Sequence, residues 1–411
     1  MQLIYQDKQQ KTIQGKEIIT FPSFSSYHLI AITARAKSEK QLGSQGTDDE
    51  DLIVKIDNKT FPKFNSDRLK DSQAAFSGGR LHNLAKTVYF LTFLRGKGHE
   101  IILEADKPPG TATFENLQVY TLNLGSELAL EPKLTAEDGD RRPWVTLALN
   151  DLPLQSITST ITYSRRKRDS DDVKIKINGK TRDNLLTNIK HFLWRFVGSL
   201  LSLLSPTKTE TEKFIVKLPS GLHYIELDAD RMPTLENIVF NFGKELPVPE
   251  GIPTFDNPKW TGDFYDDPPE ILLARLIFGE ARGQSKEEKL AVAWVVKNRF
   301  LSQISDFGFN YHEVILKNDG VRYQFSPMNP SEPDNFPVLI DPLKIDNSLT
   351  KAAWSDSYEA ATAIISGKIS DPTEGAVFFH SQDLSKEEFL KAVPRAVYIK
   401  EIGNFFFYKL R

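Results

Sequence analysis

The chain has 411 residues, carries a formal net charge of −3 at pH 7 and contains no cysteine. Single hydrophobic cores stop growing at about 250–300 residues, so this length predicts two or three domains. The near-neutral charge, without a basic stretch interleaved with aromatic residues, gives no reason to expect nucleic-acid binding. Without cysteine there are no disulfides or thiolate-bound metals, which fits either a reducing compartment or a secreted bacterial protein that does not depend on disulfides.

The N-terminal residues 1–8 lack the basic start and the apolar core of a secretory signal, so export by the usual route is not predicted from them. Residues 1–246 contain an internal duplication. The segment 54–60, Val-Lys-Ile-Asp-Asn-Lys-Thr, is matched by 175–181, Ile-Lys-Ile-Asn-Gly-Lys-Thr, and a second shared pattern begins at His99 and His223. Two copies of one module are the simplest explanation, and we place them at 1–125 and 126–246.

Both copies contain segments in which apolar and polar residues alternate, such as 52–56, 100–104 and 214–218, and this alternation predicts strands. Turn residues between the segments favour an antiparallel β-sandwich in each copy. The strand order resembles that of jelly-roll carbohydrate-binding modules, which implies glycan binding. Because His99 and His223 occupy equivalent positions, we interpret both as structural residues.

Two acidic runs, 47–51 and 169–172, precede equivalent strands of the two copies. We interpret them as solvated loops, with calcium binding as the alternative, because their spacing specifies no cation cage. Between 189 and 204 the apolar residues repeat at helical spacing, which predicts an amphipathic helix at about 185–204 inserted in the second copy. This stretch is too short to span a bilayer and is interrupted by Arg195. An interfacial membrane contact is the alternative to packing.

A proline-rich stretch at 247–267 predicts a linker, and the periodicity beyond it is helical. An apolar helical run covers 271–278, a capping box at 285–288 opens a second helix, and a third helix is predicted over 349–365. Short strands are predicted near 377–379 and 405–408. The fold class is therefore multidomain, with two all-β sandwich modules followed by a mainly-α (α+β) domain at 268–411.

Glu280 follows the apolar run 271–278 directly. A carboxyl group beside apolar surroundings tends to have a raised pKa and can stay protonated near neutral pH. That is the state required of a general acid that cleaves a glycosidic bond. Glu280 is therefore the candidate catalytic residue.

Four ordered motifs in residues 268–411 resemble those of the spore-cortex-lytic and cell wall hydrolase family. They are the run 274–283 followed by Asn298-Arg299, then Gln324-Phe325-Ser326, then 371–376 with Phe379-His380, and finally Ile402-Gly403 with Phe407-Tyr408. The chain departs from the family at Gln284, Glu288 and Lys289, where Glu, Gly and Gln are usual, and at Phe405, where His is common.

This resemblance implies a lysozyme-like fold that cleaves the β-1,4 bond between N-acetylmuramic acid and N-acetylglucosamine in peptidoglycan, often as a lytic transglycosylase. Ordinary glycosidases use two carboxyl groups. A transglycosylase needs only one, here Glu280, because the sugar's own 6-hydroxyl attacks the anomeric carbon. The residues expected to contact the sugar are Arg282, Asn298, Arg299, Tyr323, Gln324, Ser326 and His380. Arg282 in a surface ion pair, Arg299 as a helix cap and His380 as a structural residue are the alternatives.

Three other functions remain open at this stage. A hydrolytic muramidase or glucosaminidase would cleave the same polymer, and a glycan-binding wall protein would need no catalysis. A zinc amidase would need a His and carboxylate ligand set, but residues 268–411 contain only His312 and His380. No metal or cofactor is predicted, and no glycine-rich phosphate loop is present. The inferred glycan substrate implies action at the cell envelope or outside the cell, with cytoplasmic storage and non-standard release as the alternative.

Overall fold

A computed structural model describes the chain except residues 44–47, 108, 123–124, 165–169, 183–195, 198–206, 245 and 247. It divides into two compact units, Met1–Leu94 with Gly98–Pro247 and Arg95–Lys97 with Val248–Arg411. The first is rich in sheet and the second is mainly helical, as the sequence predicts. The helix predicted at about 185–204 lies outside the described residues, apart from Phe196–Val197, which form a short strand. In the described part of the chain no helix has the length and apolar character needed to cross a bilayer.

The N-terminal unit is built from three sheets and two short helices in its described residues. Its strands are β1 Gln2–Asp7, β2 Lys11–Gln14, β3 Lys16–Pro22, β4 Ser26–Arg35, β5 Asp51–Ile56, β6 Lys59–Thr60, β7 Phe76–Ser77, β8 Lys86–Leu94, β9 Gly98–Ala105, β10 Thr111–Leu122, β11 Glu127–Leu130, β12 Leu134–Thr135, β13 Arg142–Leu149, β14 Leu154–Ser164, β15 Asp172–Ile177, β16 Lys180–Arg182, β17 Phe196–Val197, β18 Thr207–Leu218, β19 His223–Asp230 and β20 Thr234–Asn241. The helices are α1 Glu39–Leu42 and α2 Gly78–Leu81.

The first sheet has the order β1-β10-β4-β8-β13-β19-β15-β16, with β2 on β10 and β17 on β15. The second has the order β3-β9-β5-β6, with β7 on β5, and the third has the order β11-β20-β14-β18, with β12 on β20. One apolar core involves the first and second sheets, and another involves the first and third. Strands of the two predicted copies thus share the first sheet, because β8 pairs in parallel with β13. The boundaries 1–125 and 126–246 stay a prediction.

His99 and His223 lie at equivalent hairpins of the two copies. Asp57 and Asn178 occupy the turns with a φ of 50° each, a left-handed conformation that Asp and Asn tolerate better than most residues. Each side-chain oxygen accepts a hydrogen bond of 2.9 Å from the backbone N–H of the residue after the histidine. Nδ1 of His99 lies 3.0 Å from the Asp57 carboxylate, and Nδ1 of His223 lies 3.1 Å from the Asn178 amide. These contacts give both histidines a structural role.

In the described part of the two acidic runs, 48–51 and 170–172, buried carboxylates are packed rather than solvated. Glu50 accepts hydrogen bonds from the backbone N–H of Lys37 at 2.7 Å and from the hydroxyl of Thr111 at 2.9 Å. Asp171 accepts bonds from the backbone N–H groups of Ser164 and Met232 at 2.8 and 3.0 Å. The interpretation of these runs as solvated loops is therefore wrong, because their carboxylates satisfy the backbone N–H groups of neighbouring loops.

The C-terminal unit packs its helices around one apolar cluster, and a second, smaller cluster joins α3 and α4 to a small sheet with the order β21-β23-β22. Its elements are α3 Pro269–Ala281, α4 Lys286–Ser302, α5 Tyr311–Leu316, α6 Phe336–Leu339, α7 Ser348–Ile365, α8 Lys386–Ala392, β21 Phe378–Ser381, β22 Ala396–Ile402 and β23 Phe405–Leu410, with 3-10 turns at Phe264–Asp266 and Ser326–Met328. The helices predicted over 271–278, after 285 and over 349–365 correspond to α3, α4 and α7.

The stretch predicted as a linker, 247–267, packs for the most part onto the helices of this unit. The ring of Trp260 lies 5.0 Å from that of Phe264 and 5.7 Å from that of Phe336, measured between centroids. The indole N–H of Trp354 donates to the backbone oxygen of Phe255 at 3.0 Å. Aromatic residues along the proline-rich stretch thus hold it against the helices of this unit. The prediction of a linker is based on the proline content alone and does not consider these aromatic residues.

A fully buried ion pair joins this lead-in to α3. Nε of Arg275 lies 2.7 Å from a carboxylate oxygen of Asp267, and both side chains are 0% exposed. The same guanidinium donates to the backbone oxygens of Leu339, at 2.7 Å, and of Pro258. Burial raises the pKa of Asp267 to about 6, although the guanidinium opposes this rise. Arg275 thus fixes α3 against the lead-in and the end of α6.

Removing one partner of this buried pair should destabilise the C-terminal unit strongly. In Asp267→Ala the guanidinium of Arg275 stays buried without its carboxylate partner. We expect the free energy of unfolding of this variant to be lower than that of the wild type by about 3–5 kcal/mol. The double variant Asp267→Leu, Arg275→Met should recover most of this loss, because apolar replacements leave no buried charge. Urea-induced unfolding measures both. Asp346→Ala, which removes an exposed pair with Lys351, is the control and should change stability by less than about 1 kcal/mol.

Candidate active site

Glu280 lies in the last turn of α3, where the buried part of the helix ends. The residue before it, Gly279, faces the 3-10 turn Ser326–Met328 closely, because a Cβ on Gly279 would lie 2.7 Å from the Cβ of Pro327. Such a distance is shorter than real carbon contacts allow. The missing side chain therefore lets the segment around Ser326 pack against the helix next to Glu280.

The Glu280 carboxyl is half-buried, and no hydrogen-bond partner for it occurs among the residues that the structure describes. Desolvation raises its pKa from 4.5 to about 7. The positive charge of Arg299 opposes this rise, and the negative charge of Glu332 adds to it. Near neutral pH Glu280 is thus present in both its protonated and its ionised form, as a group that both gives and takes a proton requires.

Arg299 is a buried guanidinium on α4. Its Nε donates to the backbone oxygen of Val377 and its Nη1 to the Oε1 of Gln324, both at 2.7 Å. Burial lowers the pKa of Arg299 to about 9, although the charge of Glu280 opposes this, so the group stays positively charged at neutral pH. Three phenylalanine rings surround it, with centroids 4.6 to 5.6 Å from the guanidinium carbon: Phe307, Phe325 and Phe378.

Gln324 connects this guanidinium to a polar cavity. Its amide nitrogen donates to the backbone oxygen of Asp306 at 2.7 Å, so both ends of the amide are held. Tyr323 is half-buried beside it, and Ser326 is exposed at the start of its 3-10 turn. The cavity has a volume of about 580 Å³, and its lining consists of Ser305, Asp306, Lys317, Asn318, Asp319, Arg322, Tyr323 and Gln324.

A second carboxylate, Glu332, which the sequence motifs do not include, lies close enough to Glu280 to raise the pKa of that residue. Glu332 accepts hydrogen bonds from the backbone N–H groups of Asn335 and Phe336, which lowers its own pKa. The predicted site residue Arg282 is exposed and donates to the side-chain oxygen of Asn335 at 2.5 Å. Glu332 stands three residues before Asn335, the N-cap of α6, and its side chain reaches forward to backbone N–H groups at the start of that helix. The sequence carries no capping-box signal for it, because that motif places the acidic residue after the N-cap.

Two predicted sugar-contacting residues have protein partners instead. The amide nitrogen of Asn298 donates to the Asp371 carboxylate at 2.9 Å and to the backbone oxygen of Ala376 at 3.0 Å, and so holds the loop 371–376. In His380 one ring nitrogen bonds to the backbone oxygen of Ser381 and the other to the hydroxyl of Tyr408, both at 2.8 Å. Their roles as sugar contacts stay predictions. The structure brings Arg299, Gln324, Ser326 and Arg282 toward the Glu280 end of α3.

The positions that depart from the family motifs serve the packing of α4. Glu288 accepts the backbone N–H of Asn404 at 2.7 Å and also caps its own helix at Ser285. Gln284 accepts a bond from the Asn404 side chain at 2.7 Å, and Lys289 lies 3.3 Å from the Asp356 carboxylate. These side chains are therefore bound to the turn between β22 and β23 and to α7. Within the described residues, no cluster of three or more His, Asp or Glu side chains forms a metal site.

Residues 283–408 match the family model described as cell wall hydrolase. Similar solved structures include the catalytic domain of the germination-specific lytic transglycosylase SleB from Bacillus anthracis, with 22% identity, a TM-score of 0.24, and coverage of 39% of this chain and 99% of that one. The SleB catalytic domain from Bacillus cereus has 23% identity, a TM-score of 0.23, and coverage of 34% and 89%. Recombinant N-glycanase F has 9% identity, a TM-score of 0.19, and coverage of 59% and 98%. No curated protein matches the chain.

The family match confirms the resemblance that the sequence motifs predict. The chain is an enzyme with a cell wall hydrolase domain. The matched segment begins at residue 283, three positions after Glu280. The assignment of Glu280 therefore depends on the geometry and electrostatics of the site.

The raised pKa of Glu280 has a consequence for stability that does not depend on substrate. The unfolded chain ionises this carboxyl near pH 4.5 and the folded chain only near pH 7, so ionisation destabilises the fold increasingly between these two values. We expect Glu280→Gln to be more stable than the wild type by a margin that grows from pH 4.5 to 7, up to about 3 kcal/mol, and is then constant. Calorimetric melting at pH 5 and 8 measures this margin.

The exposed residue Glu287 provides the control. Glu287→Gln makes the same substitution at an exposed position of α4, so it shows what the change does to stability where no carboxyl is buried. A margin for Glu280→Gln that is the same at pH 5 and pH 8 would contradict a desolvated carboxyl at this position.

Proposed function

We propose that the hydrolase domain cleaves the β-1,4 bond between N-acetylmuramic acid and N-acetylglucosamine by lytic transglycosylation, with Glu280 as its single general acid and base. The observation that carries this proposal is the half-buried Glu280 carboxyl, whose pKa of about 7 makes both protonation states accessible at neutral pH. The match to a cell wall hydrolase family supports the substrate class.

In the first half of the reaction the protonated Glu280 gives its proton to the oxygen of the glycosidic bond. The bond between that oxygen and C1 of the muramic acid breaks, and the N-acetylglucosamine side leaves as an alcohol. In the second half the 6-hydroxyl of the same muramic acid attacks C1, and the Glu280 carboxylate takes its proton. The product is a 1,6-anhydro sugar, no water is consumed, and Glu280 returns to its protonated state.

Arg299 supports both halves through its charge. A desolvated carboxyl without a nearby cation would have a still higher pKa and would give up its proton poorly. Arg299 limits this rise and also stabilises the carboxylate that exists between the two halves. Because the guanidinium is tied to Val377 and Gln324, it acts at a fixed position beside Glu280.

Glu332 is the residue on which the choice between transglycosylation and hydrolysis depends. In a two-carboxylate hydrolysis it would activate water or stabilise the sugar cation. In our proposal it only raises the pKa of Glu280, since two backbone N–H groups at the start of α6 already hold one of its oxygens. The two schemes therefore predict different products and different effects of changing Glu332.

Digestion of purified peptidoglycan by the full chain, followed by mass spectrometry, tests the scheme. We expect products that end in anhydro-muramic acid, 18 Da lighter than the hydrolysis products by the mass of one water. Glu280→Gln should lower the rate at least a hundredfold, because proton transfer by a positioned side chain contributes about 10²–10⁴. Glu332→Gln should keep most of the activity and move the alkaline limb of the pH profile to lower pH, because it removes a charge that raises the pKa of Glu280.

Other products point to the alternative enzymes. Free reducing sugar ends, together with loss of activity in Glu332→Gln, would replace transglycosylation by hydrolysis. Freed stem peptides with intact glycan would mark an amidase. Unchanged release in Glu280→Gln would remove Glu280 from the chemistry, and no release by the wild type would favour a glycan-binding wall protein.

For the N-terminal unit we propose glycan binding by its jelly-roll-like sheets, which would hold the enzyme on its polymer at the cell envelope. The outward face of the third sheet supports this proposal. On this hydroxyl face, half-buried side chains of β14 pair with exposed side chains of β18, with oxygens 2.8–3.2 Å apart: Thr160 with Thr211, Thr162 with Thr209, and Ser164 with Thr207. The hydroxyls of Thr160, Thr162, Thr209 and Thr211 each have one donor and two acceptor sites, so capacity remains for the hydroxyl and acetamido groups of a glycan.

Charged side chains on this hydroxyl face should weaken binding to peptidoglycan. We expect the double change Thr160→Lys, Thr162→Lys, made in the full chain with Glu280→Gln, to raise the Kd at least fivefold in a cosedimentation assay. The matched control makes the same changes at Thr12 and Thr20, which are exposed on β2 and β3. Equal affinity of the two double variants would rule out this face as the glycan contact.

A further inference from the structure

The polar cavity beside Gln324 is distinct from the catalytic carboxyl. Neither Glu280 nor Arg299 lines it. Gln324 connects the cavity with the surroundings of Glu280. Its side-chain oxygen accepts a hydrogen bond from Arg299, and its amide nitrogen donates to the backbone oxygen of Asp306 at the cavity wall. The proton transfers proposed at Glu280 do not take place in this cavity, although two of the predicted sugar contacts, Tyr323 and Gln324, line it.

Most of the charged groups that line the cavity have protein partners. Lys317 donates to the backbone oxygen of Ser305 at 2.9 Å. Asp319 accepts the backbone N–H groups of Val321 and Arg322 at 3.0 and 2.7 Å, and these bonds lower its pKa. Asp306 lies 3.7 Å from the guanidinium of Arg395, beyond hydrogen-bonding distance.

Arg322 is the exception among these groups. Its side chain is exposed, and within the described residues its guanidinium makes no hydrogen bond or ion pair, although its charge helps to lower the pKa of Asp319. A guanidinium presents donors in a planar fork that matches a carboxylate with two parallel hydrogen bonds. The cavity as a whole has two acidic and two basic side chains in its lining, so a polyanion would meet repulsion there. A ligand with a carboxylate and an amino group fits this charge pattern better.

The cavity is connected to the cleavage point through two contacts. Gln324 in the cavity wall accepts a hydrogen bond of 2.7 Å from Arg299, whose charge acts on Glu280. The chain continues from Gln324 to Pro327, whose side chain packs against Gly279, the neighbour of Glu280. A peptide attached to a sugar at Glu280 would extend along this segment toward Arg322.

We propose that this cavity binds the peptide stem carried by the muramic acid of peptidoglycan, with a stem carboxylate on Arg322. This inference rests on the proposed function, since it assumes that the sugar bearing the stem lies at Glu280. Tyr323 forms a half-buried wall for the peptide, and the acidic side chains Asp306 and Asp319 attract an amino group of the stem. The cavity then makes the enzyme favour glycan strands that still carry their peptides.

Isothermal titration calorimetry on the full chain tests this proposal with two soluble probes, the disaccharide N-acetylglucosaminyl-N-acetylmuramic acid with a tetrapeptide stem and the same disaccharide without a stem. We expect the wild type to bind the stem-bearing probe more tightly. Arg322→Ala should raise its Kd about tenfold and leave the Kd of the stem-free probe unchanged, while Arg322→Lys should fall between, because Lys keeps the charge but not the fork. Lys344→Ala, which removes an exposed charge outside the cavity lining, should have no effect.

The proposal is overturned if the wild type binds both probes equally, if Arg322→Ala leaves the stem-bearing probe unaffected, or if it weakens both probes alike. Failure of the proposed cleavage is a separate result, because binding is measured without turnover. If the chain released no anhydro products and yet bound the stem in an Arg322-dependent manner, the proposed transglycosylation would be wrong and the proposed stem site would be supported. If it released anhydro products while changes at Arg322 had no effect on binding, the stem site would be wrong and the transglycosylation would be supported.

Discussion

The arrangement of the candidate active site depends on the hydrogen bonds of the buried Arg299 guanidinium. Removing a charge from water costs several kcal/mol, so such a group persists only where hydrogen bonds and neighbouring charges compensate. Here α4 supplies the guanidinium, the residue before β21 supplies the carbonyl of Val377, and the motif segment supplies the amide of Gln324. Three elements that are distant in sequence are thereby fixed around one charge. That positive charge acts on the carboxyl of Glu280 at the end of α3.

The two buried arginines of the domain show why Glu280 can titrate. Arg275 forms a direct ion pair with Asp267, in which a 2.7 Å contact and further carbonyl bonds satisfy both partners. Arg299 binds a carbonyl and an amide instead, and its charge reaches Glu280 without a hydrogen bond between them. A direct bond favours the carboxylate more strongly, yet burial still raises the pKa of Asp267 to about 6. Desolvation thus prevails at both carboxyls, and at Glu280, where no such bond opposes it, the pKa lies near 7.

The sequence predicts Glu280 because two local signals coincide there, the end of an apolar helix and a family motif. It does not predict Glu332, which lies 52 positions away and approaches only because α6 packs near the end of α3. Asn298 and His380 belong to the same motifs, yet their nitrogens are bound to the loop 371–376 and to Tyr408. A sequence motif shows which residues occur together in a family. It does not show which of them stabilise the fold and which of them contact a ligand. The parallel pairing of β8 with β13 likewise cannot be predicted from the alternation of apolar and polar residues within each strand.

The different environments of the two carboxylates determine their roles whichever product forms. Two backbone N–H groups hold Glu332 in its ionised form, whereas Glu280 has no such donors among the described residues and loses most of its hydration. Environments that separate the pKa values of two neighbouring carboxyls assign one as proton donor and the other as fixed negative charge. In our proposal Glu280 is therefore the acid in both transglycosylation and hydrolysis. The choice between them depends on whether the 6-hydroxyl or a water molecule beside Glu332 reaches C1 first.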